Sequence, residues 1–183
     1  MSVFFTSDQH FQHKNIIKYC NRPFSNVEEM NEVLVENHNK MVTNKDIVYH
    51  LGDFCFGGNP KKWLDRLNGK KHYLILGNHD HRHKKELRKI FDNVDETGLV
   101  TVGNDLIYIS HYAHLVWPQV HYGVYHLFGH SHGNLKGVTG SLDCGVDPHG
   151  FMPIEWDDLK DVIDNEKSML EHNKDLMLHG SIV

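Results

Sequence analysis

Leu76-Gly77-Asn78-His79-Asp80 is the stretch from which the fold and the site can be worked out. It ends an apolar, β-prone run over residues 72–76 that predicts a strand. An amide, an imidazole and a carboxylate in succession pack poorly in an apolar core, so we expect them to face a ligand or a metal. Ligands of open α/β sheets bind outside the carboxyl ends of the strands. The ends of the other strands are therefore expected to contribute to the same site.

The other predicted strands are also followed by polar residues of these kinds. Those strands are predicted over residues 3–7, 47–51, 106–110 and 124–128. Together, the strand ends carry Asp8, His10, Asp53, Asn78, His79, His111, His130 and His132. In an extended chain, the side chains of residues i and i+2 project to the same side. We therefore expect the pair Asp8 and His10, and the pair His130 and His132, each to reach one cluster.

Helices are predicted between the first strands. Ser25-Asn26-Val27-Glu28 fits a capping box that begins a helix ending near Met41. Asn59-Pro60 supplies the N-cap and first residue of a second helix, and a third is predicted over residues 84–91. This alternation, followed by a strand-rich second half, predicts an α/β protein with a mixed sheet or two packed sheets.

The second half contains a predicted hairpin over residues 99–110 and a glycine-punctuated strand over 137–145. A helical segment over about 156–178 closes the chain. Its predicted packing side consists of Leu159, Val162, Ile163, Met169 and Leu170. A length of 183 residues predicts one domain that spans residues 1–183.

The composition argues against several classes of protein. A formal net charge of -5 disfavours a large basic surface for duplex nucleic acid. No apolar run is long enough to span a bilayer, and the chain enters a strand pattern at Met1–Phe5, which together predict no membrane contact and a cytoplasmic location. Cys20, Cys55 and Cys144 are widely spaced, so neither a disulfide framework nor a thiolate zinc site is predicted. Histidine is in excess, with 17 residues.

The side chains at the strand ends are carboxylates, imidazoles and an amide, without a thiolate. Nitrogen and oxygen donors of this kind suit manganese, iron, zinc or related divalent ions better than calcium or a Cys-type zinc. The number of donors is what two ions need, and Asp53, alone on its loop, could bridge both. We therefore predict two divalent metal ions, with manganese favoured and iron, zinc, nickel and magnesium as alternatives.

Five ordered blocks resemble the signature blocks of the calcineurin-like metallophosphoesterase superfamily. They read Asp8-x-His10, Gly52-Asp53, Gly77-Asn78-His79-Asp80, His111 and Gly129-His130-x-His132. The resemblance implies a four-layer α/β/β/α sandwich of two mixed sheets with a dinuclear centre at the strand ends. Within the superfamily, the chain resembles small bacterial and phage phosphoesterases that share Tyr19-Cys20-Asn21-Arg22-Pro23-Phe24 and Val146-Asp147-x-His149-Gly150.

The resemblance also implies a role for each residue. One metal would be held by Asp8, His10, Asp53 and His132, and the other by Asp53, Asn78, His111 and His130. A hydroxide shared by the two ions would attack phosphorus in line, with Asp53 and His79 as the catalytic residues. His79 would stabilise developing charge or protonate the leaving oxygen. Arg22, Asn78 and His79 are expected to bind the substrate. The Asp that orients the catalytic histidine in protein Ser/Thr phosphatases is missing from this chain, and Asp80 is expected to take that role.

The predicted reaction is hydrolysis of a small or nucleotide-like phosphomonoester or phosphodiester. The GDxVDRG block of protein Ser/Thr phosphatases is absent after Gly52-Asp53, which argues against that activity. The basic run His81–Lys89 is either a solvated helix face or a patch for a nucleotide or single-stranded nucleic acid, and the patch would favour a nuclease or cyclic-nucleotide phosphodiesterase.

A non-catalytic binding scaffold on the same fold is the remaining alternative, and the oligomeric state is left open. Histidines outside the blocks are expected at the surface, namely His38, His114, His121, His172 and His179.

Overall fold

A computed structural model of the protein describes the backbone of residues 1–179 and the side chains of residues 1–168. The strands are β1 (Val3–Thr6), β2 (Ile47–His50), β3 (Lys71–Ile75), β4 (Asn93–Asp95), β5 (Thr97–Val102), β6 (Asp105–Ser110), β7 (Tyr125–Phe128), β8 (Ser141–Asp143) and β9 (Ile154–Glu155). The helices are α1 (Ile16–Tyr19), α2 (Val27–Met41), α3 (Pro60–Leu64), α4 (Lys84–Ile90) and α5 (Trp156–His179). Within residues 1–179, no helix is both long and apolar enough to cross a membrane.

The strands form two mixed sheets. The first has the order β4-β3-β2-β1-β9, in which β9 alone pairs antiparallel within the described chain. The second has the order β5-β6-β7-β8, with an antiparallel β5-β6 hairpin and parallel pairing from β6 to β8. The predicted α/β class with two mixed sheets is confirmed. The sequence reading missed the short strands β4 and β9, whose few residues give little periodicity.

Two apolar clusters hold the layers together. Helices α1 to α4 pack on the first sheet around a core that contains Phe11, Met30 and Leu74. Phe5 of the first sheet, Ile107 of the second and Trp156 of α5 belong to another core between the sheets. Burial of such side chains contributes roughly 1.5–3 kcal/mol each, which fixes the sheets against each other.

The structure corrects the start of α2. The N-cap is Asn26, whose Oδ1 accepts the Glu29 backbone N–H at 2.8 Å, and the Glu29 carboxylate accepts the Ser25 N–H at 2.7 Å. The predicted box on Ser25 and Glu28 is thus displaced by one residue. Asn59 caps α3 as predicted, with its side chain accepting from Lys61 N–H.

Other predicted positions are also revised. Val162 was expected to pack but is exposed on α5, whereas Leu159 and Ile163 are buried. His38 was expected at the surface but is buried, because its Nε2 is bonded to the Asn68 carbonyl at 2.8 Å. The packing predicted for Met169 and Leu170, and the surface positions predicted for His172 and His179, lie outside the described side chains.

Candidate metal centre

The parallel registers bring the strand ends to one edge of the sandwich. Thr6 pairs with His50, and His50 pairs with Leu74, so β1, β2 and β3 end side by side. In the second sheet, Gly129 N–H donates to the His111 carbonyl just beyond β7 and β6. Because both sheets present their carboxyl ends here, the polar residues that follow them meet at one place.

Six of the seven predicted ligands fall into two groups of three. Ligand atoms of Asp8, His10 and His132 lie within 4.8 Å of one another. Ligand atoms of Asp53, His111 and His130 do the same.

Asp53 connects these groups. Its Oδ2 lies 3.6 Å from His10 Nε2 and 3.5 Å from His111 Nε2. Asp53 is 1% exposed, so both of these contacts are shielded from bulk solvent. A carboxylate at this position has the geometry to serve two neighbouring cations.

Asn78 and His79 complete the centre. Asn78 Oδ1 lies 3.2 Å from His111 Nε2, which places the amide oxygen beside the second group. His79 Nε2 lies 3.9 Å from Asp53 Oδ2, and the His79 backbone N–H donates to Asp53 Oδ1 at 2.9 Å. The His79 side chain is 31% exposed, so it can be reached from solvent.

The backbone of this centre is left-handed where an extended chain was predicted. Positive φ angles occur at Asp8 (60°), His10 (53°), Asp53 (54°), His130 (65°) and His132 (48°). Non-glycine residues rarely adopt this backbone conformation. It costs about 1–3 kcal/mol per residue and persists only where the surrounding structure enforces it. The shared direction of Asp8 and His10 therefore arises from tight turns, and the predicted extended i, i+2 geometry was wrong.

Glycines let these turns approach one another. A Cβ atom at Gly77 would overlap the Asp53 carboxylate, and one at Gly129 would overlap the Ser7 hydroxyl. Both positions therefore need a residue without a side chain. The glycines of the sequence blocks are explained by this crowding.

Unpartnered donor atoms at the centre fit a divalent metal. Asp8 Oδ1 and both ring nitrogens of His10 are buried and have no hydrogen-bond partner among the described residues. Buried polar atoms without partners are costly, and a cation bound among them removes that penalty.

Two histidines are oriented as metal ligands commonly are. His111 Nδ1 is bonded to the Leu51 carbonyl at 2.7 Å, and since that oxygen only accepts, the proton lies on Nδ1 and Nε2 is left as a donor atom for a metal. His132 Nδ1 is bonded to Asp147 Oδ2 at 2.7 Å, with Nε2 3.9 Å from Asp8 Oδ1. Support of this kind fixes the ring and its tautomer.

The protonation behaviour follows from burial and charge. Burial raises the pKa of Asp8 to about 6 in the absence of metal, against the charges of His111 and His132. In the absence of metal, burial also acts to raise the pKa of Asp53, but the hydrogen bond and charge of a His111 ring protonated on both nitrogens hold that pKa at about 2. Burial lowers the pKa of His10 well below its usual value. His10 is therefore neutral near pH 7, the form that binds a metal.

Arg22 is buried behind the proposed ligands and does not line the centre. Its Nε and Nη2 donate to Asp147 at 2.8 and 2.7 Å, Nη2 also donates to the Asp8 carbonyl at 2.7 Å, and Nη1 donates to the Gln9 carbonyl at 3.1 Å. The side chain has no exposed surface. This placement does not fit the substrate contact predicted for Arg22. The residue instead fixes Asp147, which in turn fixes His132.

Asp80 organises backbone and does not orient the His79 ring as expected. Its Oδ2 accepts the N–H groups of Asp53 and Gly77 at 2.7 and 2.9 Å, and its Oδ1 accepts that of Phe54 at 3.1 Å. Burial raises the pKa of Asp80 to about 7, opposed by these backbone donors. One carboxylate therefore joins the turn after β2 to the turn after β3.

His13 is a site residue that the sequence reading missed. Its ring lies 5.3 Å from that of His10 and 5.8 Å from that of His79, measured between centroids. A second histidine three residues after His10 in the same loop was the available signal.

The other side of His79 carries an aromatic and basic surface. The Phe56 ring lies 5.1 Å from the His79 ring, and the Arg82 guanidinium lies 5.0 Å from the centre of the Phe56 ring. Beyond it is a cavity of about 600 Å³ lined by His81, Arg82, His83, Lys84, Lys85, Glu86 and Arg88. The predicted basic run is thus next to the centre in space as well as in sequence.

Comparisons with known proteins agree on the fold and leave the activity open. No family model matches the chain. An uncharacterised protein of Methanocaldococcus jannaschii is 55% identical over 82 residues, which cover 43% of this chain and 46% of that protein. The match therefore spans about half the length of that curated relative.

A protein of unknown function from Aquifex aeolicus superposes with a TM-score of 0.73 at 24% identity, over 88% of this chain and 99% of that one. An archaeal phosphodiesterase gives a TM-score of 0.47 at 22% identity, over 79% of this chain and 82% of that one. The likeness to the Aquifex aeolicus protein extends over most of both chains, so it shows a shared fold.

Proposed function

We propose that the chain is a metal-dependent phosphoesterase, acting in the cytoplasm on a small or nucleotide-like phosphomonoester or phosphodiester at a centre of two divalent ions. The observation that carries this proposal is the pair of donor groups on either side of Asp53. Buried donor atoms without partners at Asp8 and His10 support a bound metal ion at this centre.

The residues have separate tasks in this proposal. One ion would be held by Asp8, His10, Asp53 and His132, and the other by Asp53, Asn78, His111 and His130. When bound, the ions would lower the pKa of a water toward about 7 and offset the charge of the phosphate oxygens.

His79 is the group in position to act on the leaving oxygen. Its imidazole is partly exposed beside Asp53, and its backbone N–H is fixed by the Asp53 carboxylate. It can therefore donate a hydrogen bond or a proton without giving up a structural contact. Asn78 is exposed, and its amide nitrogen can donate to a phosphate oxygen while Oδ1 faces His111.

Paired variants test this division. Asp53→Ala should lose both bound metal and turnover, because Asp53 lies next to both donor groups. His79→Ala should retain metal and lose about 10²–10⁴-fold in kcat. Replacement of the exposed His121 by alanine serves as the control.

The assay uses p-nitrophenyl phosphate and bis-p-nitrophenyl phosphate with protein loaded with manganese, nickel, iron, zinc or magnesium. Metal content is measured alongside turnover. A metal-replete wild type that hydrolyses neither ester would argue against the proposal, and partner binding that survives His79→Ala in such a protein would favour the scaffold.

The basic cavity favours a second candidate, a nuclease or cyclic-nucleotide phosphodiesterase. Arg82, Lys85 and Arg88 are exposed on that surface, and Arg82 is separated from His79 by one phenyl ring. A polyanion that crosses the centre would meet these charges, and an aromatic ring beside them suits stacking of a base.

A substrate panel separates the two candidates. It contains 2′,3′-cyclic nucleotides, 3′,5′-cyclic nucleotides and single-stranded oligonucleotides in one manganese buffer. Arg82→Gln should raise the KM for an oligonucleotide and make that KM less dependent on salt concentration. The KM for p-nitrophenyl phosphate should not change. The control is Lys45→Gln, an exposed position before the start of β2 and so at the opposite end of the sheet. Equal KM values for wild type and Arg82→Gln would exclude the role of this surface.

A further inference from the structure

His13 is a histidine beside the centre that the two-metal scheme leaves without a task. A ring nitrogen of His13 lies within 4.8 Å of ring nitrogens of both His10 and His79. Its ring packs on Phe56, with centroids 3.8 Å apart, and its edge meets the rings of His10 and His79. At 5% exposure, the imidazole is fixed in place between a metal ligand and the proposed acid.

The hydrogen bonding of His13 defines its tautomer. Nδ1 accepts the Ile16 backbone N–H at 3.0 Å, so Nδ1 carries no proton. A neutral imidazole with an unprotonated Nδ1 carries its proton on Nε2. Nε2 has no hydrogen-bond partner in the part of the chain that the structure describes. Unlike the two ring nitrogens of His10, this atom is not fully buried. His13 therefore offers a solvent-accessible N–H donor at the centre.

We propose that His13 is a substrate-binding residue whose Nε2–H donates a hydrogen bond to a phosphoryl oxygen on the His79 side of the centre. This inference rests on the proposed phosphoesterase function. No proton is transferred, because the donor returns unchanged after the phosphate leaves. A hydrogen bond to a charged oxygen that is positioned in advance gains strength as charge develops.

The alternative for His13 is a third cation shared with His10 and His79. Three imidazoles compose that group, whereas each of the two proposed metal groups contains a carboxylate. Three imidazoles can hold a zinc ion, but His10 already belongs to the first proposed metal group, which leaves only His13 and His79 of this group for a further cation. The arrangement therefore favours an anion received by an N–H donor over a further metal.

Two substitutions separate the donor from the shape of the ring. His13→Phe keeps an aromatic ring against Phe56 and removes the donor. The Ile16 N–H keeps a partner in the backbone carbonyl of residue 13, which lies 3.1 Å away in the wild type. His13→Gln retains an N–H donor near the position of Nε2. The control is His121→Phe, which makes the same change at an exposed position.

The measurements are metal content, affinity of the metal-loaded protein for inorganic phosphate by calorimetry, and kcat/KM for the two nitrophenyl esters. We expect His13→Phe to keep its metal, to bind phosphate about 10-fold more weakly and to lose about 10- to 100-fold in kcat/KM. His13→Gln should recover most of both losses, and His121→Phe should match the wild type.

Phosphate affinity tests the inference apart from turnover. If the wild type binds phosphate but hydrolyses no ester, the proposed function fails, while a weaker affinity in His13→Phe still supports the contact. Loss of metal in His13→Phe would make the residue a ligand and overturn the inference. Equal phosphate affinity in His13→Phe and wild type, or no phosphate binding by either, would overturn it too.

Discussion

Replacement of Asp80 by alanine removes the carboxylate that joins two turns of the centre. In the folded protein this carboxylate accepts three backbone N–H groups, from Asp53, Phe54 and Gly77. It is 0% exposed, so these donors lose their partner without gaining ready contact with bulk water. The expected results are a less stable fold and a metal site that binds poorly.

The magnitude follows from the hydrogen bonds. Each buried N–H left without a partner costs about 1–3 kcal/mol, and a water that enters the new space offsets part of the loss. We therefore expect Asp80→Ala to lower the free energy of unfolding by roughly 3–5 kcal/mol, a large share of the 5–15 kcal/mol typical of a domain. Asp80→Asn should lower the free energy of unfolding by less. Its amide oxygen can still accept the N–H groups of Asp53 and Gly77, while its NH₂ group faces the Phe54 N–H.

The assay is urea unfolding of the metal-free protein, followed by circular dichroism, with metal affinity measured separately. Asp65→Ala is the control, because Asp65 is exposed and pairs with Lys61 across one helical turn. Its expected effect is below about 0.5 kcal/mol. Unfolding of Asp80→Ala within about 1 kcal/mol of the wild type would refute the reasoning.

Three further predictions address other parts of the structure. Burial lowers the pKa of His38 to about 4, so between pH 6.5 and 4 the unfolded chain binds a proton at this residue and the folded chain does not. His38 should therefore contribute a loss of up to about 3 kcal/mol of stability as the pH falls from 7 to 4. His38→Gln should remove this contribution, as measured by urea titrations of variant and wild type at each pH. Gly77→Ala should abolish metal binding, as measured by metal analysis, because its Cβ would overlap the Asp53 carboxylate. Arg22→Met should leave Asp147 free to move and weaken metal affinity about 10- to 100-fold, whereas unchanged affinity would exclude that support.

The sequence allowed the proximity of the proposed ligands to be predicted, because each of them follows a strand. Parallel strands such as β1 and β2 end at the same edge, so Asp8 and Asp53 had to lie near each other once the strands were identified. Short apolar runs in the sequence identify the buried strands, and the residue at which each run stops identifies the strand end.

Features that depend on distant contacts could not be predicted. The pair of Arg22 and Asp147 joins residues 125 positions apart, and no local pattern records that partnership. The left-handed backbone of His10 is also imposed from outside, since its N–H donates to the Asp53 carbonyl. The burial of His38 has the same origin, because its hydrogen-bond acceptor lies 30 positions further along the chain.

The bond between Arg22 and Asp147 also sets an order of events during synthesis. A nascent chain that has reached residue 132 contains every proposed ligand, yet it lacks the carboxylate that pairs with Arg22 and orients His132. At roughly 5–20 residues per second, the remaining residues up to Asp147 follow about one to three seconds later. Because the newest residues of a nascent chain are still inside the ribosome, the centre can mature only after Asp147 has left it, by which point the strands of the second sheet have been made.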